Sequence, residues 1–216
     1  MRRAISSIAV TFGVVAALAA PALAETMTFK LLPNYSRATF KSDAMLETFV
    51  GNTAAEGIQG ALTVDPLRPG DAKGTVRVDM NLVRTGVEKR DADMRSKNYL
   101  DTEVDANRWV VFEVKSVEIS GPLVPAKDVP AKITGILTVK QKAVQRTADG
   151  TVTWVKLTPE QVEAQKRFGF TSDNVKVRAK FATTFVDHAI QIPQIFIFKI
   201  ANDILLETDL TFVRVP

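Results

Sequence analysis

The chain has 216 residues, 46% of them hydrophobic and 24% charged, with no cysteine and a single histidine. That is the length and composition of one globular domain. The lack of cysteine excludes disulfides, thiolate metal sites and cysteine nucleophiles, and one histidine is too few for a His-rich zinc site. With 28 basic and 24 acidic residues the net charge is only +4, and no basic block is present, so no nucleic-acid partner is expected.

The N-terminus reads as an export signal. Arg2 and Arg3 form a positive head, Ile8 to Ala20 is apolar, Pro21 breaks the run, and Ala22-Leu23-Ala24 is a small-residue cleavage site. Cleavage near Ala24-Glu25 is expected to release residues 25–216 to a periplasmic or extracellular compartment. The alternative is a retained anchor, since Ala4 to Ala24 is long enough to span a membrane. The well-formed site and the alanine-rich content favour cleavage. The domains are therefore a signal peptide, 1–24, and one folded domain, 25–216.

Beyond Glu25 the dominant period is two, which predicts strands with one face in a core and one in water. In chain order the candidates are Arg37–Phe40, Ile58–Val64, Thr75–Leu82, Trp109–Val117, Ile133–Val139, Thr151–Leu157, Val175–Phe185 and Leu205–Val215. Val76, Val78, Met80 and Leu82 should share the inner face, while Arg77 and Asp79 face water. Val110, Phe112 and Val114 alternate with Glu113 and Lys115. Val175, Val177, Ala179, Phe181 and Phe185 alternate with Lys176, Arg178 and Lys180. Asp149-Gly150, between two candidates, reads as a hairpin turn. Gly86 to Asn107 is charged and turn-rich, and reads as a long loop with a helical turn at Glu88–Ser96. Thr158-Pro-Glu-Gln161 is a capping box that starts a short helix running to about Phe168, with Gly169 ending it. Gln194 to Ile200 is apolar at most positions and is a candidate for the rim of a hydrophobic opening.

The pattern predicts an all-β fold, an antiparallel sandwich or barrel with a short capping helix and a long loop near one end. A closed barrel of about eight strands has room for its own side chains or for one small ligand. Large aromatics could fill it.

The order of segments resembles the YceI family of lipocalin-like lipid-binding proteins. Tyr35-Ser-Arg-Ala-Thr-Phe40 is similar to its opening strand, and Gly57-Ile-Gln-Gly-Ala-Leu-Thr-Val-Asp65 to its G-x-x-G-x-x-x-x-D strand. Thr85-Gly86, Arg90-Asp91, Tyr99-Leu100-Asp101 and Val111-Phe112 resemble the family's central motif. Gly135-Ile-Leu-Thr-Val139 resembles its G-x-L-T-L strand. Asp187-His-Ala-Ile-Gln-Ile-Pro193 and Ile200-Ala-Asn-Asp-Ile204 resemble the ending of some members. The likeness runs from about Met27 to Val213. Asp93 and Met94 stand where the family has His-Leu, Tyr35 where it has an opening histidine, and Ala106-Asn107-Arg108 lacks its proline.

The resemblance implies an extended antiparallel lipocalin-like barrel that carries or stores a long-chain isoprenoid or similar amphiphile in an apolar tunnel, without cofactor or metal. The wall would come from Phe40, Val78, Met80, Phe112, Val114, Leu137, Phe181, Phe185, Leu210 and Phe212. Met94, Tyr99 and Leu100 of the long loop would sit near one end. Arg90 and Asp91 would either pin that loop or hold a lid or head group. Such a reading allows transient membrane contact and a homodimer.

Two other functions compete: a secreted enzyme acting on an amphiphile through Asp91 and His188, and a stress-protective protein without ligand. Asp101, Glu103 and Asp105 are spaced as in a calcium loop. Ala106 and Phe112 stand where such a loop needs glycine and glutamate, so no calcium is expected.

Overall fold

The computed structural model describes residues 25–53, 55–195 and 198–215. The export segment read at 1–24 lies outside them. In chain order the elements are β1 (Met27–Leu31), β2 (Arg37–Ala44), β3 (Thr48–Thr53), β4 (Ile58–Val64), β5 (Lys73–Asp79), β6 (Val83–Arg84), α1 (Glu88–Arg95), α2 (Asp105–Arg108), β7 (Trp109–Ile119), β8 (Asp128–Val139), β9 (Lys142–Lys156), α3 (Pro159–Gln165), β10 (Asp173–Thr184), β11 (Gln194–Ile195) and β12 (Phe198–Arg214).

They form a closed antiparallel barrel of eight staves. Three staves are broken. A 3₁₀ turn at Pro33–Tyr35 separates β1 from β2, another at Ala55–Gly57 separates β3 from β4, and a turn at Met80–Leu82 separates β5 from β6. Pro33 begins the first break because its ring fixes φ and it cannot donate to the ladder. Gly57 lies so close to Leu82 that a Cβ on it would approach the Leu82 Cβ to 3.0 Å, so these two breaks lie side by side. The unbroken staves β7, β8, β9, β10 and β12 complete the ring, and Phe29↔Arg214 and Leu31↔Phe212 close it.

The closure holds at one end only. β5 pairs with β7 from Gly74↔Val114 to Asp79↔Trp109, but among the described residues β6 pairs only with β3. The barrel is therefore split between β6 and β7, and the segment carrying α1 and α2 fills the gap. At the sealed end Phe29, Ile58, Val175 and Phe212 form a packed cluster. There Leu123 is buried, its N–H donating to the Pro66 carbonyl at 2.8 Å. α3 lies near the sealed end, where Phe170 packs on Tyr35 with ring centroids 4.8 Å apart. Its capping box forms as expected: Thr158 Oγ1 accepts from the Gln161 N–H, and Gln161 Oε1 accepts from the Thr158 N–H at 2.9 Å.

Three sequence expectations are corrected. Asp149-Gly150 is no hairpin, because β9 runs straight through it, with Gly150 opposite Ala131 on one side and Ala179 on the other. The glycine serves close strand approach: a Cβ there would meet the Arg178 carbonyl oxygen at 2.8 Å. The turn falls instead at Lys140-Gln141, both at positive φ. Asp79 was expected in water and is buried, because Arg108 of α2 folds over it, Nε to Oδ2 at 2.9 Å. Burial by itself would raise the Asp79 pKa. The Arg108 and Asn81 hydrogen bonds, with the positive charges of Arg108 and Arg95, outweigh it and hold the carboxyl below its ordinary 3.8.

β5 ends at Asp79, so Leu82 falls in the turn beyond it rather than in a strand. The other alternations hold. Arg77, Arg178 and Lys180 are exposed, and Lys176 pairs with Asp209 across the outer face at 3.3 Å. On β7 a bulge between Val114 and Ser116 shifts the parity, so the inward residues run Val110, Phe112, Val114 and then Val117 and Ile119.

Candidate functional site

The barrel encloses a cavity of about 720 Å³, within the range of small-molecule sites. Its lining along β10 runs from Val175 to Thr183, about 26 Å at the rise of a strand. The aromatic side chains do not plug it, because some of them lie flat against glycines. The Phe40 ring covers Gly51, where a Cβ would fall 2.1 Å from Phe40 Cε1. The Phe112 ring covers Gly135 in the same way, at 2.6 Å. Each glycine removes a side chain from the wall, and the neighbouring ring takes its place instead of standing in the lumen. Phe112 and Phe181 then pack on each other with centroids 5.3 Å apart.

Each wall residue expected from the sequence borders this space. β2 contributes Phe40, β5 Val78, and the turn after it Met80. β7 contributes Phe112 and Val114, and β8 Leu137. β10 contributes Phe181, and Phe185 follows it at the start of the 3₁₀ turn Val186–His188. β12 contributes Leu210 and Phe212. The loop residues Met94, Tyr99 and Leu100 cover the split end. Of the apolar run Gln194–Ile200, Gln194 and Ile200 line the cavity, while the side chains of 195–199 lie outside the described ones.

The loop over the split end is clamped. Arg95 donates to the Met80 carbonyl at 3.2 Å and to the Val83 carbonyl at 2.7 Å. Asp91 is buried and accepts from the Thr85 N–H at 2.8 Å and the Thr85 hydroxyl at 2.6 Å. Lys140 donates to the Tyr99 carbonyl at 2.5 Å, which ties the β8–β9 turn to the same loop. Arg90 lines the mouth, pairs with Glu47 at 2.8 Å and stacks over Phe49 at 4.3 Å. Lys89, also at the mouth, pairs with Asp93 at 2.8 Å. Asp91 thus pins the loop, and among the described side chains the cations lining the mouth, Lys89 and Arg90, have carboxylate partners.

The pair Asp91 and His188 is not brought together. His188 is only 1% exposed. Its Nδ1 lies 3.1 Å from the Lys142 carbonyl and its Nε2 2.7 Å from Thr183 Oγ1. Burial pushes the imidazole pKa below its ordinary 6.5. Arg146 adds to the drop, and the Lys142 carbonyl and Asp187 oppose it. The sequence reading missed Ser42, Thr183 and His188 as cavity residues, and missed Gly51 and Gly135. A glycine in mid-strand, flanked by a strand with an inward aromatic, was the available signal.

An eight-stave antiparallel barrel of lipocalin-like form around one apolar cavity defines the class of protein. The YceI-like domain model matches residues 29–212, and the chain belongs to the YceI family. Among solved structures it is similar to Burkholderia cenocepacia BcnA, with TM-score 0.62, 14% identity, and coverage of 84% of this chain and 98% of that one. It is also similar to a polyisoprenoid-binding domain from Saccharophagus degradans implicated in plant cell wall breakdown, with TM-score 0.61, 11% identity, and coverage of 88% and 99%. The Campylobacter jejuni YceI protein matches with TM-score 0.57, 15% identity, and coverage of 77% and 84%. At these identities the likeness is one of fold. No curated protein matches by sequence.

Proposed function

We propose that the protein is exported and holds one long-chain isoprenoid, or an amphiphile of similar shape, in its barrel for carriage or storage. The observation that carries this reading is the long apolar cavity left open by glycine-backed aromatic rings. An isoprenoid chain offers only apolar surface. Burying it gives about 25 cal/mol per Å² before association costs. Family membership and the polyisoprenoid-binding domain among the similar structures support the same ligand class. The leader-like pattern at residues 1–24 supports export.

Loading requires an approach to a membrane, and one surface suits it. Met45 and Leu46 form the tip of the β2–β3 hairpin and are 76% and 81% exposed. Glu47 beside them pairs with Arg90 at the mouth. Solvent extraction of the purified protein followed by mass spectrometry should find a stoichiometric lipid, and ligand-stripped protein should take up a polyprenol from vesicles. A protein that neither carries nor takes up lipid rejects the reading. Replacing Met45 and Leu46 by serine should slow uptake several-fold and change stability by less than about 0.5 kcal/mol. N-terminal sequencing should begin at Glu25 or within a residue or two. Full-length protein retained in carbonate-washed membranes rejects export.

A further inference from the structure

The inner faces of β2, β12 and β10 are in register, so their side chains form transverse rows across the cavity wall. Phe40, Leu206 and Phe181 make one row. The next row toward the mouth is Ser42, Ile204 and Thr183. All six residues line the cavity. Ser42 is 4% exposed, and its hydroxyl has no hydrogen-bond partner among the described residues. A hydroxyl taken out of water without a partner is unfavourable, so a buried orphan on a cavity wall needs a reason.

Thr183 completes the picture. The Lys142 carbonyl can only accept, so His188 Nδ1 carries the proton and Nε2 accepts. The Thr183 hydroxyl therefore donates to Nε2, and its oxygen keeps lone pairs available toward the cavity. Ser42 and Thr183 are separated by two strand spacings, about 10 Å, so one oxygen atom cannot bridge them. Ser42 offers a donor and an acceptor, while Thr183 offers only an acceptor. No cation is part of this row. Among the described side chains the cations lining the mouth, Lys89 and Arg90, are each held by a carboxylate.

We propose that the Ser42–Thr183 row is a head-group station. It hydrogen-bonds an uncharged oxygen function at the end of the bound chain, chiefly through Ser42, with the apolar tail running past Phe40 and Phe181 toward the sealed end. This rests on the carrier reading and adds what that reading leaves open, the polarity and orientation of the ligand. A neutral hydroxyl or carbonyl gains a partner here. A phosphate would be desolvated against neutral donors alone and is disfavoured.

The test uses ligand-stripped protein and three probes with one C20 chain: geranylgeraniol, the corresponding hydrocarbon without oxygen, and geranylgeranyl monophosphate. Wild type should bind the alcohol about three- to tenfold more tightly than the hydrocarbon, the worth of one hydrogen bond, and more tightly than the phosphate. Ser42→Ala should abolish the preference for alcohol while leaving hydrocarbon affinity within about twofold. Because it removes an orphan hydroxyl, it should not lower the thermal midpoint of the stripped protein. Thr183→Val, which keeps the shape of the side chain, should reduce the preference by a smaller factor. An unchanged alcohol-to-hydrocarbon ratio in Ser42→Ala overturns the station and leaves the carrier standing. So does tighter binding of the phosphate by wild type. Failure of wild type to bind any probe overturns both.

Discussion

The two ends of the barrel are built by different means. At the sealed end β1 pairs with β12 and the ring of backbone hydrogen bonds is complete, so Phe29, Ile58 and Val175 are buried by strands on every side. At the mouth the ring is split between β6 and β7, and the covering residues Met94, Tyr99 and Leu100 come from the segment that carries α1 and α2. That segment has no strand ladder to hold it. Here Arg95, Asp91 and Lys140 hold it by bonds to main-chain groups and to Thr85. Such an end can open without unzipping a strand pair, which the proposed carrier role would require of one end. The sealed end is held by strand pairing, and the mouth by side-chain bonds.

Truncating an aromatic at each end probes this contrast with the largest effect. Phe29→Ala at the sealed end should lower stability by about 3–5 kcal/mol in denaturant unfolding. Phe181→Ala should cost less than half of that, since its ring already borders open space, and should weaken lipid binding. Equal losses at the two sites would mean that the interior is packed alike throughout. Next comes the clamp. Asp91→Ala strands the Thr85 N–H and hydroxyl, at about 1–3 kcal/mol. Amide exchange should speed up over residues 85–100 and not at β1 or β10; uniform acceleration would place the mouth and the sealed end in one cooperative unit.

A smaller effect is expected from Gly51→Ala. The atoms nearest the new Cβ all belong to the Phe40 ring, which can swing into the lumen, so the loss should be about 1 kcal/mol. Lipid affinity should fall by more than stability does, because the ring then occupies ligand space. Unchanged affinity would show that the ring is not what keeps the lumen clear. The gentlest handle is pH. His188 has a folded-state pKa below 6.5, so the unfolded chain takes up the proton first. Stability is complete above that value and is lost gradually as the pH falls from 6.5 through the folded pKa. The groups around the ring are the Lys142 carbonyl, Thr183, Arg146 and Asp187. His188→Asn should flatten the thermal midpoint in this window, and a profile unaltered by the substitution would assign the slope to other groups.

The strand alternation of Val76 and Val78, of Val110 to Val114 and of Val175 to Phe181 was legible because the period of two is a local property of an extended backbone. So was the capping box at Thr158, whose partners lie three residues apart. With the family resemblance, these readings were enough for the barrel and for the apolar wall. The tertiary structure decided the rest, because it depends on residues far apart in the chain. Asp79 is buried only because Arg108 folds over it. Gly150 reads as a turn until strands on both sides press against it. The lumen is open because Gly51 and Gly135 lie beneath rings from adjacent strands, and Ser42 meets Thr183 in one row only through the shared neighbour Ile204. Local sequence sets which face a side chain takes, while the register between distant strands sets what it faces.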